Sequence, residues 1–431
     1  VGLGEATSDI RYQARILTRL GAIPRTLAHR NFGIYVAGSS ISLIGNWMQR
    51  IGVGWLAWDL SHSGAVLGLV AFADLFPTIA IGPFGGALAD RFDRRRLLLV
   101  AQCAIMLQAF ILFALTATGL ITVHLLVGLV LLGGIVVGFN QPARLALAPA
   151  LVPRSDLPTA VAINSIVFNL ARFVGPACAG VVIVWSGVAM VFLLNALSFV
   201  AFLFALARMR LAPIAMGGQG RRSMLGAIGE GLRYTSRHPG IGPLLLLHAI
   251  LAVSARPFFE LLPGFASDVF GRGASGLATF GSATGIGAVM AGLWLAQRHE
   301  ESRLTNIALA SSFMVTLSVL VFSLVSWFPV AVVCVALAGF GMVIAGVGTQ
   351  TLMQTSVEEA MRGRVLSLFG LIFRGGPALG ALIMGVASEA LGLQAPLAAG
   401  CLIGLLAAAV IWRHRASIAR NLGEAPAGSP A

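Results

Sequence analysis

The sequence contains no lysine: its 29 basic side chains are all arginine, set against 16 acids in 431 residues. That absence removes the Walker-type phosphate loop, the Schiff-base lysine and the kinase lysine, so ATP is not a directly bound fuel by any of those routes. Charge of either sign is scarce at 10% of residues while 58% are hydrophobic, which excludes a soluble globule and points to a polytopic membrane protein. Cysteine is equally sparse. Cys103, Cys178, Cys334 and Cys401 fall in four separate apolar runs without paired spacing and read as small core residues, not as disulfides or metal ligands. The seven histidines show no ligand spacing, and HExxH, CxxC and nucleophile-elbow patterns are missing, so no enzyme, metal or cofactor is expected. A net charge of +13 raises nucleic acid as a partner, but the arginines sit in short loops between apolar runs and not on one face of a domain, which removes that reading.

What is present is a series of twelve apolar runs. Six cover about 31–59, 64–89, 97–118, 123–147, 157–185 and 188–208, and six more cover about 241–269, 274–296, 304–327, 330–356, 365–389 and 394–412. Between them hydropathy collapses around Gly217-Gly218-Gln219-Gly220-Arg221-Arg222, the natural division of the chain. The predicted organisation is a basic cytoplasmic tail (1–30), a six-helix bundle (31–210), a cytoplasmic linker (211–240), a second six-helix bundle (241–415) and a short cytoplasmic tail (416–431). The fold class is therefore an all-α membrane protein with twelve transmembrane helices in two pseudo-symmetric bundles. A sequence echo supports the repeat, because Arg172-Phe173-Val174-Gly175-Pro176 in the fifth run returns as Arg374-Gly375-Gly376-Pro377 in the eleventh. In the linker, Leu225, Ile228, Leu232 and Thr235 oppose Glu230, Arg233 and Arg237, which predicts a short interfacial helix.

With the amino end inside, 24 arginines fall on the cytoplasmic side, four lie within spans and only Arg272 lies outside. This asymmetry predicts that both termini are cytoplasmic. Exclusive use of arginine fits a GC-rich bacterial genome and hence a bacterial inner membrane. A charge at the bilayer centre costs on the order of 2.5–3.5 kcal/mol even on a lenient scale, so the ionisable residues inside the spans are the candidate functional set. They are Arg50, Asp74, Arg172, Arg256, Glu260 and Arg374.

His248, Arg256 and Glu260 recur at a helical step of four, and Arg256 with Glu260 is expected to pair within one helix. Asp74 has no cation three or four positions away and is the candidate proton-coupling carboxyl, with Glu260 as the second. A cation reaching across from Arg50 or Arg172 would instead make Asp74 one member of a static ion pair. Arg172 and Arg374 each precede a Gly-Pro element and serve either as cavity residues or as anchors for a neighbouring helix end. Asn46, Gln49 and Arg50 belong to a polar stripe on the first span, Asn140 and Gln141 end the fourth, and Gln350 lies in the tenth, which completes the candidate substrate cavity. Trp47, Trp55 and Trp58 read first as interfacial anchors, with a binding-wall role for Trp47 as the alternative. Four buried arginines against two buried acids predict a preference for anionic or catechol-like substrates over permanent cations.

The densest charge lies at 90–96, six charges in seven residues following Gly82 and Gly86. The order Gly86, Leu88, Asp90, Arg91, Arg94, Arg95 resembles the loop signature of the major facilitator superfamily, with Asp93 where the signature has glycine. Gly45-Asn46-Trp47-Met48-Gln49-Arg50, Pro142-Ala143-Arg144 through Leu151-Val152-Pro153, and Arg362-Gly363-Arg364-Val365 resemble its enterobactin-exporter branch, although Asn46 replaces an aspartate of many relatives. Gly175-Pro176 resembles part of the antiporter signature of the fifth span, with Ala179 in place of one glycine. The resemblance implies two bundles rocking about a midplane cavity lined by spans one, four, seven and ten, with efflux driven by proton entry. It also implies a gating loop in which Asp90 latches to a helix amino terminus or to Arg144. The reading is a monomeric, proton-coupled exporter of a small organic molecule, siderophore- or drug-like. An uptake symporter and a non-transporting receptor or scaffold remain the alternatives.

Overall fold

The structure is a computed structural model that describes residues 23–89, 94–209, 224–297 and 304–424. All regular structure among the described residues is helical. The long helices are α1 (Arg30–Ser61), α2 (Gly64–Ala89), α3 (Arg94–Ala117), α4 (Val123–Ala150), α5 (Leu157–Ser186) and α6 (Val188–Arg208) in the first half of the chain. A short α7 (Met224–Arg237) follows where an interfacial helix was expected, held to the second half by an ion pair of Glu230 with Arg364 at 2.9 Å. The second half contains α8 (Ile241–Ser254), α9 (Phe258–Gly264), α10 (Gly273–Ala296), α11 (Leu304–Leu324), α12 (Phe328–Ser356), α13 (Glu359–Leu391), α14 (Gln394–Arg413) and α15 (Arg415–Asn421).

Eleven segments among the described residues are long and apolar enough to cross a membrane. The twelfth long helix, α1, is not one of them because its sequence carries Ser39, Ser40, Ser42, Asn46, Gln49 and Arg50. Its 32 residues still rise about 48 Å, longer than the ~30 Å hydrocarbon layer, and it packs against α5 and α6. The stripe on α1 divides. Ser39 and Ser42 are buried on the side where Gly38 and Gly45 meet α6, whereas Asn46 and Arg50 remain half-buried.

The run 241–269 is not one continuous α-helix. It breaks at Ala255–Pro257 and resumes as α9, then closes with a π turn over Phe265–Val269. Pro257 has no N–H for the Val253 carbonyl, and α13 packs into the break at Gly380, where an added Cβ would collide with that same carbonyl. The repeat is visible in the backbone as well. Gly187 joins α5 to α6 at φ 80°, ψ 165°, and Gly392 ends α13 at φ 72°, ψ 166°, left-handed turns that favour glycine.

The two halves of the chain meet where α2 lies on α13 and α5 lies on α10. Both seams are built from small residues. A Cβ at Gly68 would strike the Ala381 carbonyl, one at Gly385 the Gly64 carbonyl, and one at Gly180 the Ala278 side chain. Glu389, from α13, accepts hydrogen bonds from Ser63 Oγ at 2.7 Å and from the Ala65 amide at 3.1 Å, and so caps the amino end of α2 from the opposite half. These contacts lie at the end with short interhelical loops. At the arginine-rich end, Gly82, Gly363 and Gly370 meet nothing within 4 Å. Gly68→Ala should therefore wedge α2 from α13 at an overpacking cost of about 1–3 kcal/mol. A cysteine placed at Ser63 in a cysteine-free background should then react several-fold faster with a membrane-impermeant maleimide, and equal labelling rates in both backgrounds would rule out this seam as the closure.

Candidate functional site

The charged residues of the spans converge. Arg50 on α1 reaches Glu260 on α9 at 2.5 Å, donating from Nη2 to Oε1, and lies 3.6 Å from Asp74 on α2. Arg172 shares the Trp47 ring with Arg50, Arg256 stands one turn before Glu260, and Arg374 follows Phe373, the ring against Arg256, so the six charged residues gather in one region. Side-chain exposures of 30% for Arg50, 41% for Asp74 and 17% for Glu260 leave each member of the central triad partly accessible.

The local folding explains each placement. On α2, Pro77 supplies no amide to the Ala73 carbonyl, and α4 packs there through Gly134, whose Cβ would crowd the carbonyls of Ala73 and Asp74. Asp74 is thereby fixed against α4. On the other side, the break at Ala255–Pro257 sets Glu260 in the first turn of a new helix and aims it at α1. The helical step of four through His248, Arg256 and Glu260 consequently fails. Arg256 lies in the break, and Glu260 bonds Arg50 of the first half instead of Arg256 of its own helix. Asp74 has no cation on its own helix, and Arg50 approaches it from across the helix interface.

Aromatic rings lie against Arg256 and Arg172. Arg256 Cζ sits 3.9 Å from the Phe373 centroid, and its Nη1 is buried without a hydrogen-bond partner. His248 stacks on the same Phe373 at 6.0 Å and on Phe369 at 4.6 Å, with Nε2 buried and unpartnered. Trp47 carries Arg50 at 5.6 Å and Arg172 at 5.7 Å. Trp47 thus contacts two of the clustered arginines, the arrangement its alternative reading as a binding wall calls for. Trp58, at 3% exposure, and Trp55, packed on the core, are interior. Among the described residues Arg172 donates to Met342 Sδ at 3.9 Å, and neither Arg172 nor Arg374 has a hydrogen bond to a helix end.

Other candidates belong to the scaffold. Gln49 accepts from Asn195 Nδ2 at 2.7 Å and donates to Gln108 Oε1 at 3.1 Å, while Gln108 donates to the Leu129 carbonyl at 3.2 Å. This chain of amides ties α1, α3, α4 and α6 together, which corrects Gln49 from cavity to frame. Asn140 is buried with Oδ1 unpartnered, Gln141 is half-buried and Gln350 is exposed. In the gating set, Asp90 and Arg91 lie outside the described residues, while Gly86 and Arg94 are helical residues at the facing ends of α2 and α3. Arg95 donates to the carbonyls of Leu206 and Ala207 at 3.0 and 2.8 Å and so caps α6, and Arg144 lies over the Phe202 ring at 5.5 Å. All four cysteines are free, Cys334 and Cys401 buried, Cys178 half-buried and Cys103 exposed. No cluster able to hold a metal ion occurs among the described residues.

A family model described as a transmembrane secretion effector matches residues 25–426. The chain belongs to that family, within the major facilitator superfamily. This transporter is 26% identical over 364 residues to the staphyloferrin A transporter of Staphylococcus aureus, covering 83% of this chain and 90% of that one. It is 28% identical over 333 residues to the enterobactin exporter EntS of Escherichia coli O1:K1 / APEC, covering 76% of each. Among solved structures, the transporter superposes on a POT family transporter in complex with 5-aminolevulinic acid with a TM-score of 0.74 at 13% identity, over 90% of this chain and 96% of the other. A D-xylose-proton symporter gives 0.64 at 15% identity over 90% and 96%. These likenesses show the fold, a multi-pass membrane protein of transporter type and not an enzyme.

Phe373, Gln108 and Asn195 escaped the sequence reading. Phe373 carries a detectable signal, a ring one position before Arg374 and four after Phe369. Gln108 and Asn195 do not, because single amides in apolar runs acquire meaning only from their partners. The bridge through Arg50 predicts a coupling of ~0.5–3 kcal/mol between Arg50→Gln and Glu260→Gln in a double-mutant cycle of thermal stability, the range for residues in direct contact. Strictly additive effects would show that the two side chains do not interact.

Proposed function

We propose that this chain is a proton-coupled exporter of a small organic molecule, siderophore- or drug-like, working by alternating access in a bacterial inner membrane. In this reading α1 is the twelfth membrane span. The helices form two six-helix bundles, residues 31–210 and 241–415, joined by a cytoplasmic linker, with cytoplasmic tails and both termini inside. The protein acts as a monomer. The direction of transport is supported by the secretion family and by the exporter among its relatives.

The observation that carries the reading is that Arg50 engages one carboxylate from each half, Asp74 from the first and Glu260 from the second. A cation shared between two bodies is a two-position element. Protonation of Glu260 removes the charge that ties Arg50 to the second half, and protonation of Asp74 leaves Arg50 wholly to Glu260. Binding of a proton while the outer side is open, and its release to the cytoplasm while the inner side is open, thus change which half Arg50 holds, and with it whether the seam at Gly64, Gly68 and Glu389 is closed or parted. The closed short-loop end is then the outer gate, and the described state faces inward.

The test uses everted vesicles carrying an imposed pH gradient, read by acridine orange as siderophore- and drug-like compounds are added one at a time. At least one compound should dissipate the gradient with wild-type protein. Asp74→Asn should abolish gradient-driven accumulation of that compound in proteoliposomes yet spare its counterflow. Gradient-driven accumulation that survives Asp74→Asn removes this carboxyl from the coupling path, and counterflow lost in a normally folded variant assigns it to binding instead.

A further inference from the structure

Counting the central cluster by charge leaves a surplus that the ion pairs do not use. Both carboxylates, Asp74 and Glu260, are engaged by Arg50, and among the described residues no acid is paired with Arg172, Arg256 or Arg374. All three are half-buried, with Arg256 Nη1 fully so, and a guanidinium withdrawn from water without a counter-ion is costly. Three such cations, one on the first half and two on the second, call for negative charge from outside the protein.

Their posture identifies the form of that charge. Arg256 lies flat enough on Phe373 for a 3.9 Å cation–ring contact, and Arg172 rests on Trp47 at 5.7 Å. Stacking occupies the face of a guanidinium and leaves its N–H edge to donate in the plane, the geometry that binds carboxylates in a bidentate manner. The edge of Arg256 is in that condition, since Nη1 is buried with no acceptor. Arg172 has only the thioether of Met342 at 3.9 Å, a weak acceptor that an oxygen anion would displace. Arg172 stands on α5 of the first half, Arg256 and Arg374 on the second. One cargo touching both halves needs at least two anionic groups.

We infer that the cargo is an organic anion bearing two or more carboxylate-type groups, gripped by Arg172 from one half and by Arg256 and Arg374 from the other. The inference rests on the transport reading, since it assigns that cavity its load. It also gives the anion a mechanical role, because a ligand spanning both halves neutralises the repulsion among the three arginines and lets the cavity close around it.

Binding can be tested apart from transport. Full-length protein in detergent is titrated at matched ionic strength with propane-1,2,3-tricarboxylate, its uncharged triamide and tetraethylammonium, and unfolding is followed by tryptophan fluorescence. The tricarboxylate should raise Tm saturably while the other two leave it unchanged. Loss of one charge-assisted bidentate contact in Arg256→Gln or Arg172→Gln should weaken the apparent Kd by about tenfold or more. Arg256→Lys, which keeps the charge, should weaken it less, and Arg374→Gln carries the same test should Arg256→Gln fail to fold. The inference is overturned when the triamide or tetraethylammonium stabilises as well as the tricarboxylate, when no tricarboxylate effect is seen, or when the glutamine variants bind unchanged. Saturable binding without flux in proteoliposomes would sink the transport reading and leave this site standing, whereas flux of cations without anion binding would do the reverse.

Discussion

Arg50 shared by two carboxylates from opposite halves is the interaction on which the rest of the arrangement depends. In a medium of low polarity an isolated charge is expensive, and two unneutralised carboxylates facing each other would be more so. Arg50 resolves this with one cation, at 2.5 Å from Glu260 and 3.6 Å from Asp74. The unequal distances matter because the closer partner belongs to the other half of the chain. The shorter bond thus joins the two halves of the chain, α1 of the first to α9 of the second.

The second constraint is steric. Gly64, Gly68 and Gly385 bring α2 and α13 so near that their backbones touch, while on α5 and α10 Gly180 makes room for Ala278, Gly281 for Pro176 and Gly285 for the Phe173 ring. Apolar side chains have no hydrophobic drive to associate within lipid, so close backbone approach through small residues is how such helices hold together. A seam of that kind is tight while closed and contains few long side chains to disentangle on opening. Glu389 adds a polar catch at its outer edge by capping α2 from α13. The pattern fits a surface that forms and parts repeatedly better than a permanent core.

Much of this was legible in the sequence, and what was not has identifiable reasons. The apolar runs, the division near 217–222 and the six buried charges follow from composition and from the cost of charge in lipid, and all six charges gather in one region. The pairing among them was misread because periodicity treats 241–269 as an unbroken helix. Pro257 breaks it, and the break turns Glu260 from a partner of Arg256 into a partner of Arg50. Trp47 was assigned to a membrane interface because its polar edge suits one, while the rule cannot see that Gly175 admits it between α1 and α5. Gln49 shared a stripe with Arg50 yet turned to the amides of α3 and α6, a choice made by residues 59 and 146 positions away.

The contrast between Gln49 and its neighbour Arg50 separates frame from site. Buried polar groups that serve structure find partners within their own half, as in the amide chain Asn195, Gln49, Gln108 and the Leu129 carbonyl, where each link satisfies the next and fixes four helices together. In the charged cluster, Arg50 is instead shared across the halves, while Arg256 and the neighbouring His248 each keep a buried nitrogen without a hydrogen-bond partner. A fold under selection for stability alone would not leave a guanidinium nitrogen buried and idle. The boundary between polar groups closed upon one another within one half and those that reach across to the other thus runs between adjacent residues of a single helix, Gln49 and Arg50.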